Sequence, residues 1–203
     1  RPTAIFPGGA LQLTFKPTAV KADFTLALSK NINLPLPTDL RLLSPLYQFD
    51  IRDTSALDIE IPISIQMQYT DSGRESKSIY FFDKSNASWV KLPSYNNVEE
   101  KTVTAPIHLT YAPLAIFGDA RSADGIASWY AFKNCLCAAS REYPRGTHLR
   151  VTRLKSGTSV IVTVNDYGPE EWTGRIIDLD KRAFQALGSL GSGLIYVNVR
   201  QEK

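Results

Sequence analysis

Two aspartates, Asp166 and Asp178, stand near the ends of two apolar runs in the stretch Val160–Asp180. Carboxylates held on strand ends can pass a proton to and from a glycosidic oxygen, so the pair is a candidate for acid–base chemistry on a sugar linkage. The run Val160-Ile161-Val162-Thr163-Val164 is β-branched but for no residue, and it predicts a strand buried on both faces. It ends in Asn165-Asp166, and Tyr167-Gly168-Pro169 then turns the chain, which presents Asp166 at a rim where a ligand can reach it. Arg175-Ile176-Ile177 predicts a second short strand ending at Asp178, with Arg175 close enough to pair with either acid. Aspartates at strand ends also serve as turn residues and helix caps. Asp180 is read that way: Asp180 to Gly188 has an N-cap, an apolar face and a terminal glycine, and predicts a short capped helix.

Aromatic rings near these acids are candidates to stack on sugar. Tyr130 and Tyr167 divide evenly between groove and core. Trp172, among Glu170, Glu171 and Thr173, is expected to be exposed, while Trp129 is expected in the core. The two cysteines, Cys135 and Cys137, are one residue apart. In an extended strand their Cα atoms would lie about 7 Å apart, too far for an unstrained disulfide, so two buried free thiols are expected. No metal is expected, because two thiolates need further ligands and only His108 and His148 exist. Both histidines are read as structural or surface residues, and no other cofactor is indicated.

Several ordered segments resemble the rare lipoprotein A (RlpA-like) domains. Gly125-Ile126-Ala127-Ser128-Trp129-Tyr130 resembles their opening strand, and Ala138-Ala139-Ser140-Arg141-Glu142-Tyr143-Pro144-Arg145-Gly146-Thr147 resembles their second motif. Val151-Thr152-Arg153-Leu154, Ser159 to Pro169, Gly174 to Leu179, and Leu187-Gly188 with the closing strand follow in the family's order, from Asp124 to Arg200. The resemblance implies a six-stranded double-psi β-barrel, also found in expansins and related endoglucanases, acting on peptidoglycan glycan strands in the cell envelope. It implies a lytic transglycosylase, which protonates the glycosidic oxygen and lets the sugar's own C6 hydroxyl attack, leaving a 1,6-anhydro end.

Carried over residue by residue, Asp166 matches the family's catalytic Asp in an Asn-Asp-x-Gly-Pro motif, with Tyr167 where Arg is usual. Asp178 aligns with the general acid of the barrel endoglucanases and is a second catalytic candidate. Tyr130, Ser140, Tyr167, Trp172 and Arg175 are the substrate-binding candidates. The family's catalytic His falls on Ser140, and the loop Ala131–Cys137, where the family has a Glu, contains no acid. A hydroxyl cannot replace an imidazole as a proton carrier near neutral pH. The site is therefore a degenerate one. The alternative is a non-catalytic, expansin-like module that binds peptidoglycan or another polysaccharide. A structural envelope module is a third class, disfavoured by the retained Asp166 and Gly-Pro turn.

The elements that must position these residues occupy part of a 203-residue chain, enough for one large or two small domains. Composition is ordinary for a globular protein, at 43% hydrophobic and 21% charged. No run approaches the roughly 20 apolar residues of a membrane span. The chain opens on Arg1 without Met, which reads as a mature region with upstream sequence removed. An extracytoplasmic monomer is expected, with any membrane anchor outside these residues. Residues 1–120 carry 11 Lys and Arg against 12 Asp and Glu, a net −1, while residues 121–203 carry 12 against 8, a net +4. That excess suits anionic wall polymers but is too small and scattered for nucleic acid.

Residues 1–118 predict an immunoglobulin-like β-sandwich of seven or eight short strands. Ile59, Ile61, Ile63, Ile65, Met67 and Tyr69 alternate with Glu60, Pro62, Ser64, Gln66 and Gln68, the period of a half-buried strand, with Pro62 at an edge or strand entrance. Tyr95-Asn96-Asn97 is expected as a turn and Trp89 as a core or sheet-face anchor. Residues 119–124 are short, polar and small, and are expected as a linker to a barrel domain over residues 125–203.

Overall fold

The computed structural model describes residues 2–202, and they form an all-β protein with one α-helix among those residues. The chain separates into two compact units, residues 1–72 with 77–119, and residues 73–76 with 120–203.

In the first unit the strands are β1 (Thr3–Ile5), β2 (Leu11–Thr14), β3 (Leu26–Lys30), β4 (Arg41–Leu42), β5 (Tyr47–Ile51), β6 (Ile63–Gln68), β7 (Glu75–Asp83), β8 (Ser88–Lys91), β9 (Tyr95–Asn97) and β10 (Thr102–Ile107). One sheet runs β1-β2-β6-β10-β9. β3 pairs with β5, and β5 with the start of β11 (Tyr111–Tyr130), while β7 pairs with β8. Leu11, Leu13, Phe49, Ile65, Met67 and Ile79 are among the fully buried side chains of its core. Trp89 packs edge-on against Phe82 and Phe117 and donates its indole N–H to the Pro35 carbonyl at 2.7 Å.

Two readings of this unit need correction. The alternating run begins as a strand only at Ile63: Asp58 Oδ1 accepts the Glu60 N–H at 3.2 Å, Pro62 has no N–H to give, and Ile59 is left exposed. β6 is bonded on both sides, to β2 and β10, so Pro62 marks an entrance and not an edge. Tyr95–Asn97 is a strand paired with Thr102–Thr104, because the buried Asn96 carboxamide accepts the Tyr69 hydroxyl at 2.9 Å and so has a partner in the interior.

The second unit holds the later residues of β11 with β12 (Cys137–Ala139), β13 (His148–Arg153), β14 (Ser159–Asp166), β15 (Arg175–Asp180), the helix α1 (Lys181–Leu187) and β16 (Ile195–Gln201). Each of these six strands is bonded to two others, in the order β11-β16-β13-β14-β12-β15 and back to β11, so the pairing closes on itself. Two of the pairings, β11 with β15 and β12 with β14, are parallel. Closure leaves no unpaired edge and encloses a core of Leu149, Val151, Val162, Val164, Leu179 and Val197, with Phe184 of α1 against it.

Closure also explains where the strands depart from expectation. β14 is buried on one face only: Val162 and Val164 point inward while Ile161 is exposed, because the outer wall of a closed sheet meets solvent. Asp178 lies inside β15, which continues to Asp180. Residues 119–124 belong to β11: Ser122, Ala123 and Asp124 pair with Arg200, Val199 and Asn198, so their small polar side chains ride on a bonded backbone. The helix starts as the sequence suggests, with Asp180 as N-cap accepting the Arg182 N–H and Gly188 as C-cap.

Gly125 is required by space. A Cβ there would meet Ile176 Cγ2 at 2.6 Å, and a β-branched strand residue has little freedom to turn away. Gly125→Ala should destabilise the protein by about 1–3 kcal/mol, the usual cost of overpacking, read as a lower denaturation midpoint with an unchanged denaturant slope.

Candidate functional site

Asp166 is the last residue of β14 and pairs with Ala139 of β12, while Ala139 pairs on its other side with Asp178 of β15. The three residues stand side by side on adjacent strands. Asp166 and Asp178 therefore flank Ala139 about 10 Å apart at Cα, two strand spacings, and the β12–β14 register shifts between Ala138 and Ala139, just where Asp166 is placed.

The two acids meet different surroundings. The Asp166 side chain is 46% exposed. Its Oδ1 accepts from Arg145 Nη2 at 2.9 Å and from the Tyr167 N–H at 2.9 Å, and among the described residues no donor bonds Oδ2. Asp166 opens on a depression of about 320 Å³ lined also by Ser140, Arg141, Glu142, Tyr143, Pro144, Arg145 and Tyr167. Asp178 does not line it. Its side chain is 17% exposed, and its Oδ1 accepts the Ser128 hydroxyl at 2.5 Å and lies 3.4 Å from Arg175 Nε.

Among the substrate-binding candidates, Ser140 and Tyr167 share the depression with Asp166, and Tyr130, Trp172 and Arg175 do not line it. Ser140 is buried, and its Oγ accepts the N–H groups of Glu142 and Tyr143, both at 3.2 Å, which folds the loop that walls the depression. Tyr167 is 72% exposed and Trp172 86%. Trp172 projects from a single 3-10 turn, Glu171–Thr173, closed by Gly174 in the left-handed region at φ 68°. Trp129, expected in the core, is 36% exposed and donates its indole N–H to the Leu190 carbonyl at 3.1 Å. Its strand neighbours Ala127 and Ser128 are the buried ones, so the ring falls on the outer wall.

Tyr130 lies within the field of the acids and bonds the neighbour of Asp166. Its hydroxyl donates to Asn165 Oδ1 at 3.2 Å, and its pKa is pushed up to about 12 by burial first, and then by the charges of Asp180, Asp166 and Asp178. The phenol therefore stays a neutral donor at physiological pH. In a spectrophotometric titration of tyrosine, Tyr130→Phe should remove a step at about pH 12, while Tyr47 and Tyr143, also raised by burial, continue to titrate late.

The residues missed from sequence are Arg145, which bonds Asp166, and Glu142, a second carboxylate in the depression that also bonds Arg74 at 3.3 Å. Both sit in the charged stretch Arg141–Arg145 around Pro144, whose charge density was the available signal.

The cysteines form a disulfide, contrary to the expectation of free thiols. Their Cα atoms are 5.3 Å apart because Cys135 precedes β12 and sits in a bend after Asn134, whose φ is 56°, and not in an extended strand. Cys135, Cys137 and Asp180 bring ligand atoms within 4.8 Å of one another. They do not suit a metal: the sulfurs are bonded together, and the Asp180 carboxylate already accepts four backbone N–H groups. His108 and His148 make local bonds, to the Ile59 carbonyl at 2.8 Å and to Thr163 Oγ1 at 3.2 Å.

A half-exposed carboxylate with one oxygen anchored and the other open can accept or deliver a proton to a ligand resting in the depression. Residues 122–199 match a family model described as lytic transglycolase. The chain is 38% identical over 113 residues to a protein of Synechocystis called probable endolytic peptidoglycan transglycosylase RlpA, covering 47% of this chain and 35% of that one. It is 38% identical over 91 residues to the endolytic peptidoglycan transglycosylase RlpA of Neisseria meningitidis serogroup A, covering 38% of each. The chain thus spans little more than a third of the length of these relatives. A crystal structure of a mutant Clavibacter michiganensis expansin in complex with cellohexaose is similar at 22% identity, with a TM-score of 0.34 over 40% of this chain and 50% of that one.

Proposed function

We propose that residues 122–199, which resemble the RlpA-like double-psi β-barrel family, act on the glycan strands of peptidoglycan, with Asp166 as their acid–base residue. The observation that carries the reading is the Asp166 carboxylate itself, which ends a strand, opens on the depression and, among the described residues, keeps Oδ2 clear of donors. The reaction is a lytic cleavage. Protonated Asp166 gives its proton to the glycosidic oxygen as that bond breaks. The C6 hydroxyl of the same sugar bonds to C1, and its proton returns to Asp166, so a 1,6-anhydro end forms and no water is consumed.

Arg145 and the Tyr167 N–H aim the carboxylate from the Oδ1 side. Tyr167 contacts the sugar inside the depression, whose wall the buried Ser140 holds in shape, and the exposed Trp172 and the neutral Tyr130 extend the contact beyond it, where aromatic faces suit sugar rings. Asp178, tied to Ser128 and Arg175, supports β15 beside the site in place of a second proton carrier. The His and Glu of the family are absent, so Asp166 works alone and turnover is slow. On this reading the protein works outside the cytoplasm as a monomer, and its first unit is an immunoglobulin-like β-sandwich that ends near residue 118.

One contact favours a second reading, glycan binding without cleavage. The Arg145 guanidinium pairs with Asp166 Oδ1 at 2.9 Å, a charge-assisted contact that suits a carboxylate held to accept hydrogen bonds from sugar hydroxyls. Incubation with isolated, peptide-free glycan strands separates the two. Soluble anhydro-ended fragments support cleavage, retention of the protein on intact strands supports binding, and neither result removes both readings.

A further inference from the structure

Taking the Asp166 site as read above, we propose that the Cys135–Cys137 disulfide is a redox control on it: the oxidised bond sets the entry to β12, and reduction by a dithiol releases that strand and weakens the grip on glycan. β12 is only three residues long, yet it is the strand between Asp166 and Asp178. So short a strand has few bonds of its own with which to hold register. Its first residue is Cys137, and the bond to Cys135 ties that residue to the loop before it. The loop is held in turn by Asp180, which accepts the N–H groups of Phe132, Lys133 and Asn134.

A second contact reaches the site from the other side. Asn165, the neighbour of Asp166, donates its Nδ2 to Cys135 Sγ at 3.8 Å while its Oδ1 accepts the Tyr130 hydroxyl. The disulfide therefore touches both strands that place Asp166. It closes a loop too small to confer much stability by restricting the unfolded chain, so its consequence is local positioning. Cys137 is buried, but Cys135 is partly exposed, and exposed disulfides are the labile ones. In the exchange, a thiolate of the dithiol attacks Cys135 Sγ and the bond to Cys137 breaks, leaving Cys137 as a thiolate that takes up a proton. The second thiol of the dithiol then displaces Cys135 as a thiol. Two electrons and two protons pass to the protein, and the reductant leaves as a disulfide.

The test uses the full chain in three states: oxidised, reduced with dithiothreitol and capped with iodoacetamide, and reduced then reoxidised. A Cys135→Ser, Cys137→Ser double variant is the fourth sample. Amide hydrogen exchange over residues 131–139 and retention on peptide-free glycan strands are measured for each. The expected result is at least a tenfold rise in exchange over that segment and at least a fivefold fall in retention for the reduced and the double-variant proteins, both reversed by reoxidation. Unchanged exchange after reduction overturns the inference, and so does faster exchange with unchanged retention. If the oxidised protein is neither retained nor releases anhydro-ended fragments, the reading of the site fails, and the control on it falls for that separate reason.

Discussion

Asp166→Asn should lower the release of anhydro-ended fragments by about 1,000-fold, within the range that a positioned acid–base group contributes. The amide has nearly the carboxylate's shape, and its oxygen can still accept the Tyr167 N–H that Oδ1 accepts now. What it cannot do is give a proton to the glycosidic oxygen or take one from the C6 hydroxyl. Retention on glycan strands should change by less than about threefold, since binding equally to ground and transition states is separable from the chemical step. The measurement is chromatographic separation of fragments against time for the wild type and the variant at equal bound protein. A variant that releases fragments within tenfold of the wild type rules Asp166 out as the acid. In that case Glu142, the other carboxylate in the depression, becomes the group to replace.

The largest stability effect is expected at Asp180→Ala. Asp180 is fully buried, and burial alone would push its carboxyl up. The N–H groups of Arg182, Lys133, Phe132 and Asn134 bond the charged form and together hold it below the ordinary carboxylate value. The alanine variant loses the helix cap, worth about 1 kcal/mol, and leaves three loop N–H groups without their acceptor at about 1 kcal/mol or more each. A loss of about 3–5 kcal/mol follows, and with it a fall in Tm of roughly 6–20 °C for a chain of this size. Thermal unfolding followed by near-ultraviolet circular dichroism reads it, and a fall under about 2 °C would mean that the loop does not depend on this residue.

The same group sets a pH limit. Its folded pKa lies below its unfolded one, so its contribution is complete above the unfolded value of about 4 and drains away as pH falls through the lower folded value. The wild type should therefore lose stability on acidification below about pH 4 more steeply than Asp180→Ala, which has no such carboxylate to protonate. Parallel acid-unfolding curves for the two proteins test the sign.

Much of this was legible along the chain. The β-branched run at 160–164 is a strand, Asp180 with Gly188 frames the helix, and Asn165-Asp166-Tyr167-Gly168-Pro169 ends a strand on a half-exposed carboxylate. These features are local. Alternation, capping and turn chemistry act over a few residues, so neighbouring letters are enough to read them.

What tertiary structure alone decided is which distant groups meet. Arg145 reaches Asp166 across 21 positions, Ser128 reaches Asp178 across 50, and Asp180 gathers amides 46 to 48 residues away. The disulfide, though its cysteines are close in sequence, depended on a bend at Asn134 and Cys135 that the run of side chains does not announce. Local sequence sets the period of each strand and the chemistry of each turn. The closing of six strands on themselves sets their register, and register places Ala139 between the two acids and turns one of them toward solvent.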